Sequence, residues 1–412
     1  MRTLLRLAVL TLVLTVTGTV AAQSTVTIGA IYPLTGSLAA NGVNLKRAVQ
    51  LAVDIVNNAY PELSGIPLAA TEGLTNLGGA KLKAVFADSQ GQPSVGESEA
   101  RRLITQEHVA ALMGAYQSSV TKTASRPAEL QGVPFLNASS SSPSLTERGY
   151  EWFFRTGPTD DTFVADIFKF LDTITSQPTK RVAVVYENTD FGTHTADLVK
   201  QLSGSSGRDL VASISYTAGA SSLSAQVQRL QAAKPDVAVF ASYVSDALLF
   251  VKTMREVGYA PPLLVANDAG FSTAQFEKED GTVAAGVISR SAWAADLGTS
   301  KPVASKVAAL FEKTYGVPLD GGSSRVLQGA LVLADAINRA GSTDPAAIKK
   351  ALIATDLGRD QVFMPWGGVN FDRNQQNSLT RGVIVQLQNG TYHTVWPSNL
   401  ASVSLQLPFR WH

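Results

Sequence analysis

Residues 114–146 read GAYQSSVTKTASRPAELQGVPFLNASSSSPSLT, and the fold is decided in this stretch. An apolar run over 109–115, of buried-strand length, stops at Ser118-Ser119. A helix is expected to begin there and run towards Gly132. A second strand over 133–137 stops at Ser139, Ser140, Ser141 and Ser142, followed by Pro143. Serine before proline signals a helix start, because serine caps and proline tolerates the first turn. Residues 144–147 add a capping box. Ser118 and Ser141 are therefore one α/β unit apart. A parallel sheet sets consecutive strand ends side by side, so two helix N-termini and several hydroxyls would face one spot suited to a carboxylate. The same serines also read as plain caps in a polar loop.

Composition narrows the function. The 412 residues include no cysteine and carry a formal net charge of +1. That balance implies neither nucleic acid nor an anionic membrane as partner. Without cysteine there is no disulfide, thiolate metal site or cysteine nucleophile. The histidines, His108, His194, His393 and His412, have no metal-ligand spacing, and no metal or cofactor is expected. The length suits two to three domains. At the start, Arg2 and Arg6 precede a short apolar core over 7–16, and Val20, Ala21 and Ala22 give a small-residue cleavage pattern before Gln23. Residues 1–22 read as a secretory signal peptide, with an apolar core too short for a membrane anchor. A lipid-anchored mature terminus would need a cysteine. The mature protein is expected to be free and periplasmic.

Strands and helices alternate along the rest of the chain. Strands are expected at 26–33, 81–88, 181–186, 213–216, 236–241 and 262–266. Helices are expected at 43–57, 92–107, 161–174, 193–202, 223–232, 245–257, 302–315 and 326–340. Asn389-Gly390 marks a hairpin joining 383–388 to 392–396. The aromatic-rich 149–158 and the segment 287–292 read as crossings between domains. This pattern means an α/β fold with parallel sheets, which bind ligands at the carboxyl ends of strands. Ser118, Ser141, Phe191, Tyr243 and Asp268 all fall at such ends.

These segments together resemble a known family. VTIGAIYPLTG, FADSQGQP, GAYQSSVTKTA, SPSLTERGYEWFFRTGP and VAVVYENTDFG, in that order, are similar to the type I periplasmic binding proteins. Specifically, they are similar to the leucine/isoleucine/valine-binding subfamily that serves branched-chain amino acid ABC transporters. The resemblance covers essentially the whole mature chain. It implies two parallel-sheet lobes joined by three hinge crossings, with the third near 364–368. Lobe 1 would comprise 23–156 plus 292–364, and lobe 2 would comprise 157–291 plus 365–412. It implies a monomer that binds an amino acid in the cleft and delivers it to a membrane permease and ATPase. By position, the ligand carboxylate would meet Ser118, Ser119, Ser141 and the groups of Ser139 and Ser140. Asp268 and Tyr243 would hold the ammonium, and Phe191 would close over the ligand. Asn41 and the polar, basic run 322–325 depart from an apolar branched-chain pocket.

Other readings compete. A hydrolase would need an activated nucleophile, but no GxSxG occurs, and nucleotide chemistry lacks GxGxxG and GxxxxGK[ST] loops. A sensory binding protein, or a carrier of a small carboxylic acid or amide, would share the fold. Arg325 reads equally as a surface helix charge or a cleft cation. Trp293 and Trp366 sit near the crossings. Pro127 is expected to kink or shorten its helix.

Overall fold

In the first sheet, buried positions alternate with a period of two. Val26, Ile28, Ala30 and Tyr32 of β1 (Thr25–Tyr32) join one apolar cluster, while Ile31 joins another on the opposite face. Both faces are therefore covered, as a parallel sheet requires. The computed structural model describes residues 24–299 and 301–411; the leader expected over 1–22 lies outside them.

The other strands of this sheet are β2 (Lys81–Asp88), β3 (Ala111–Gly114), β4 (Phe135–Asn137) and β5 (Phe153–Arg155), in the order β2-β1-β3-β4-β5, all parallel. Helix α1 (Ala39–Asn57) packs on the Ile28 face. Helices α2 (Pro93–Thr105) and α3 (Ser118–Gln131) cover the Ile31 face. Pro127 lies inside α3, which nevertheless continues to Gln131, so the expected early end is not seen. The segment 149–158, expected as a crossing, contains β5; the chain leaves the sheet only after it.

The second sheet is built from β6 (Arg181–Glu187), β7 (Asp209–Tyr216), β8 (Val237–Ala241), β9 (Leu263–Ala266) and β10 (Ile288–Ser291). Helices α4 (Asp160–Asp172), α5 (Asp190–Ser205), α6 (Ser224–Ala233), α7 (Val244–Glu256) and α8 (Ala274–Asp280) accompany it. Val237 and Val239 face α4 and α5, whereas Ala238 and Phe240 face the other way. The segment 287–292, also expected as a crossing, is the parallel strand β10; the chain turns back after it.

Helices α9 (Pro302–Tyr315), α10 (Gly321–Ala340) and α11 (Pro345–Ile353) follow. Helix α10 packs against α1 and completes the first sheet's core. It is buried on nearly every side, and its buried polar residues, among them Ser323, Arg325 and Gln328, are hydrogen-bonded. A small ladder, β11 (Asp356–Gly358) with β12 (Gly368–Asn370), precedes the hairpin β13 (Val383–Gln388) and β14 (Thr391–Trp396). The hairpin adds antiparallel to β10. Arg155 bridges to Gln376, so the last passage between the sheets runs beside the first.

Candidate functional site

The carboxyl ends of the two sheets face each other, and the candidate residues meet between them. Strand β3 ends at Gly114, whose φ of +138° turns the chain where a Cβ would lie 2.5 Å from the Ile31 carbonyl. Tyr116 follows, then Gln117 as N-cap and Ser118 as the first residue of α3. The Ser118 hydroxyl accepts from the Ser142 N–H at 3.3 Å, so the two serine turns touch as expected.

The second turn differs from the expectation. Residues Pro143–Leu145 form one 3-10 turn, not a helix. The loop is organised by Arg155, which is fully buried beneath it. Its guanidinium donates to the carbonyl of Ser142 at 2.6 Å and to the Thr146 hydroxyl at 2.8 Å. Burial pushes the Arg155 pKa down to about 10, with Asp160 acting against the fall. Ser139 and Ser140 both donate their hydroxyls to the Ala115 carbonyl at 3.0 Å, and Ser140 also meets Thr121 Oγ1 at 2.6 Å. These two hydroxyls are spent on the loop. Ser141 faces α4, whose Asp160 N–H donates to the Ser141 carbonyl at 2.8 Å.

On the other side, Tyr243 is the N-cap of α7 and Phe191 lies in the first turn of α5. With Tyr116 from across the cleft they make an aromatic cluster. The Tyr116 and Tyr243 centroids are 5.1 Å apart, and those of Phe191 and Tyr243 are 5.5 Å apart. Asp268 follows β9 with φ +56°, and Ala269 with φ +50°. Two consecutive non-glycine residues in the left-handed region are costly and mark sites where geometry is imposed. Gly270 then packs on Tyr243, where a Cβ would lie 2.3 Å from the Tyr243 carbonyl carbon. Asp268 and Tyr243 are thereby neighbours.

Asp268 is not an isolated negative charge. Its Oδ2 accepts from Arg290 Nη1 at 2.7 Å and from Arg325 Nη2 at 2.8 Å. Arg290 also donates to Asn267 at 2.7 Å, lies 3.5 Å from Asp160, and stacks 3.5 Å over the Phe163 ring. Arg325 donates as well to the carbonyls of Gly321 and Ser139, at 3.0 and 3.1 Å. Burial pushes Arg290 down to about 10 and Asp160 upward, and the opposite charges pull both back. The sequence reading left Asp268 for a ligand ammonium alone; the structure gives it two protein cations.

A residual cavity of about 20 Å³ is lined by Ser118, Ser139, Ser140, Ser141, Phe191, Tyr243 and Asp268. Ser119 is half-exposed beyond it. Tyr116, Arg290 and Arg325 also line the cavity. The Tyr116 hydroxyl is buried without a protein partner, and burial holds it well above the ordinary tyrosine pKa. Tyr116 ends β3 just as Ser118 does, so the strand-end rule could have found it. Arg290 carried a different signal, an arginine inside an apolar strand. The cavity has room for about one water, so an amino acid enters only if the walls separate. Trp293 and Trp366 line other pockets. Among the described residues, no group of acidic or histidine side chains is placed to hold a metal, and no helix is long and apolar enough to cross a membrane.

Comparison with known proteins agrees with this architecture. Residues 25–391 match the family model described as periplasmic binding protein. The Leu/Ile/Val-binding protein homolog 7 of Brucella abortus (strain 2308) is 30% identical over 402 residues, 95% of this chain and 96% of that protein. A leucine binding protein from Thermotoga maritima superposes with a TM-score of 0.76 at 22% identity, covering 90% of this chain and 97% of that one. A solute binding protein from Rhodopseudomonas palustris BisB5, solved with 3,4-dihydroxybenzoic acid, gives 0.74 at 17% identity, with 90% and 96% covered. The two-lobed fold expected from the sequence is thus seen in solved relatives, and the chain belongs to the periplasmic binding protein family, among the Leu/Ile/Val-binding protein homologues.

Proposed function

We propose that the chain is the exported substrate-binding protein of an ABC importer, taking an amino acid into the cleft and delivering it to a membrane permease and ATPase. The observation that carries this reading is the make-up of the cavity wall. Hydroxyls and the start of α3 stand on one side, with Asp268 and Tyr243 on the other. The buried charges of Asp160, Asp268, Arg290 and Arg325 sum to zero. A net-neutral zwitterion enters such a site without leaving a net buried charge. Its carboxylate takes Ser118, Ser141 and the first N–H groups of α3. Its ammonium takes Tyr243 and Asp268 Oδ1, which carries neither arginine contact. The lobes, 23–156 with 292–364 and 157–291 with 365–412, close by hinge rotation. Residues 1–22 are removed on export, which leaves a free periplasmic monomer without enzymatic activity.

The two guanidiniums favour a second reading, a carrier of a small carboxylic acid. Mass spectrometry of ligand released from gently purified protein decides between them. An α-amino acid is expected; a carboxylic acid lacking the amino group would replace the first reading with the second.

A further inference from the structure

Beside the cavity, at the mouth of the cleft, lies a larger space of about 410 Å³, and Tyr243 forms part of both walls. Glu187 ends β6 on one side, and Gln117 stands on the other, in the turn before α3. Glu187 is fully buried; its Oε1 accepts from the Thr189 hydroxyl at 2.5 Å, and its Oε2 has no protein partner. Gln117 donates from Nε2 to the Gly91 carbonyl at 3.3 Å, while its buried Oε1 is likewise unpartnered. Asp246 adds a second buried carboxylate, occupied on both oxygens by the Gly219 N–H.

Two residues on opposite walls of this space thus each carry a buried oxygen without a protein donor. An unmade hydrogen bond of this kind is costly, and buried acceptors are nearly always paired. We infer that this space is a second subsite of the cleft, which receives a cationic hydrogen-bond donor at the end of the ligand's side chain, held between Glu187 Oε2 and Gln117 Oε1. The inference rests on the amino-acid reading of the cavity and deepens it: the ligand class becomes basic amino acids rather than branched-chain ones. A cation supplies the missing donors and offsets the neighbouring carboxylates. A leucine side chain supplies neither. The burial that pushes the Glu187 carboxyl up to about 8, with Asp246 adding to it, is what an arriving cation would reverse.

Calorimetric titration of the mature chain with L-lysine, L-arginine and L-leucine tests this. A basic amino acid is expected to bind at least tenfold more tightly than leucine. Glu187→Gln removes a buried carboxylate and so spares the fold. It is expected to lower the basic-to-leucine affinity ratio at least tenfold, and Gln117→Leu, from the opposite wall, to lower it as well. Leucine binding as tightly as lysine and arginine, or a ratio unmoved by both variants, would overturn the subsite and leave the amino-acid reading standing. If none of the three binds, the amino-acid reading fails and the subsite falls with it.

Discussion

Arg325 Nη2 lies 2.8 Å from Asp268 Oδ2, and the two residues come from opposite walls of the cleft. Arg325 is carried by α10, which packs with the first sheet, whereas Asp268 follows a strand of the second. The pair therefore ties the walls together across the cavity and favours their closed arrangement. Arg325→Leu removes the tie while Arg290 keeps Asp268 paired. Solution scattering of the wild type should show the radius of gyration falling as amino acid saturates the protein. In Arg325→Leu, about tenfold more ligand should be needed for the same fall, equivalent to roughly 1.4 kcal/mol. An unchanged wild-type profile at saturation would count against closure.

Asp268→Ala leaves Arg290 and Arg325 facing each other without the carboxylate between them. Breaking a buried ionic group from one side costs about 3–5 kcal/mol, so the melting temperature should drop. Selectivity should also turn over. The amino acid should lose its ammonium partner, while the corresponding 2-oxo acid should gain relative to it, drawn by two freed guanidiniums. Paired titrations of wild type and variant read this, and a constant ratio would remove Asp268 from ammonium binding.

The serines should divide into two groups. Ser118→Ala and Ser141→Ala should each weaken ligand binding by about 1.5–3 kcal/mol, the range for hydrogen bonds to a charged group; Ser118→Ala should also lower the melting temperature somewhat, because the Ser142 N–H loses its acceptor. Ser140→Ala should behave differently, because its hydroxyl serves the Ala115 carbonyl and Thr121. It should lower stability by about 1 kcal/mol or more. Thermal melts with and without ligand separate the two effects.

Glu187 should impose a pH dependence on stability. Burial raises its folded pKa to about 8, above the ordinary glutamate value of 4.5. The unfolded chain therefore releases this proton first, and the stabilisation is complete below about 4.5 and lost as pH rises through 8. Denaturant unfolding between pH 5 and 9 should show stability falling by on the order of a few kcal/mol from this group. Glu187→Gln should flatten that part of the profile. An identical slope in wild type and variant would place the titrating group elsewhere.

Much of this was legible in the sequence because it depends on period and punctuation. The strand at Lys81–Asp88, the helix at Pro302–Tyr315 and the strand at Val383–Gln388 fall where the sequence reading put them. The co-location of Ser118, Ser141, Phe191, Tyr243 and Asp268 followed from the rule that parallel strands end on one side. What escaped depends on three dimensions. Nothing local shows that Arg155 replaces a helix beneath the serine loop, because its partners there include carbonyls. Arg325 could not be assigned from its helix alone, since its counter-ion lies 57 positions away. Residues 287–292 read as a crossing because an arginine and two serines leave little apolar run in β10, and of these polar residues Arg290 is the one that lines the cavity.

The placement of α10 has a consequence for how the molecule assembles. This helix packs on α1 and beside β4 and completes the core on the Ile28 face of the first sheet, yet it is synthesised only after the whole parallel part of the second sheet. A chain elongating from its N-terminus can lay α1 on that face when residues 25–155 emerge, but the outer side of α1 and the end of the face at β4 stay uncovered. The first half must wait, with apolar surface exposed, until residues 321–340 return to it. Contacts of such sequence separation are slow to form, and the waiting surface is open to aggregation. The discontinuity that lets Arg325 reach into the cleft thus ties completion of the first sheet's core to the last third of the chain.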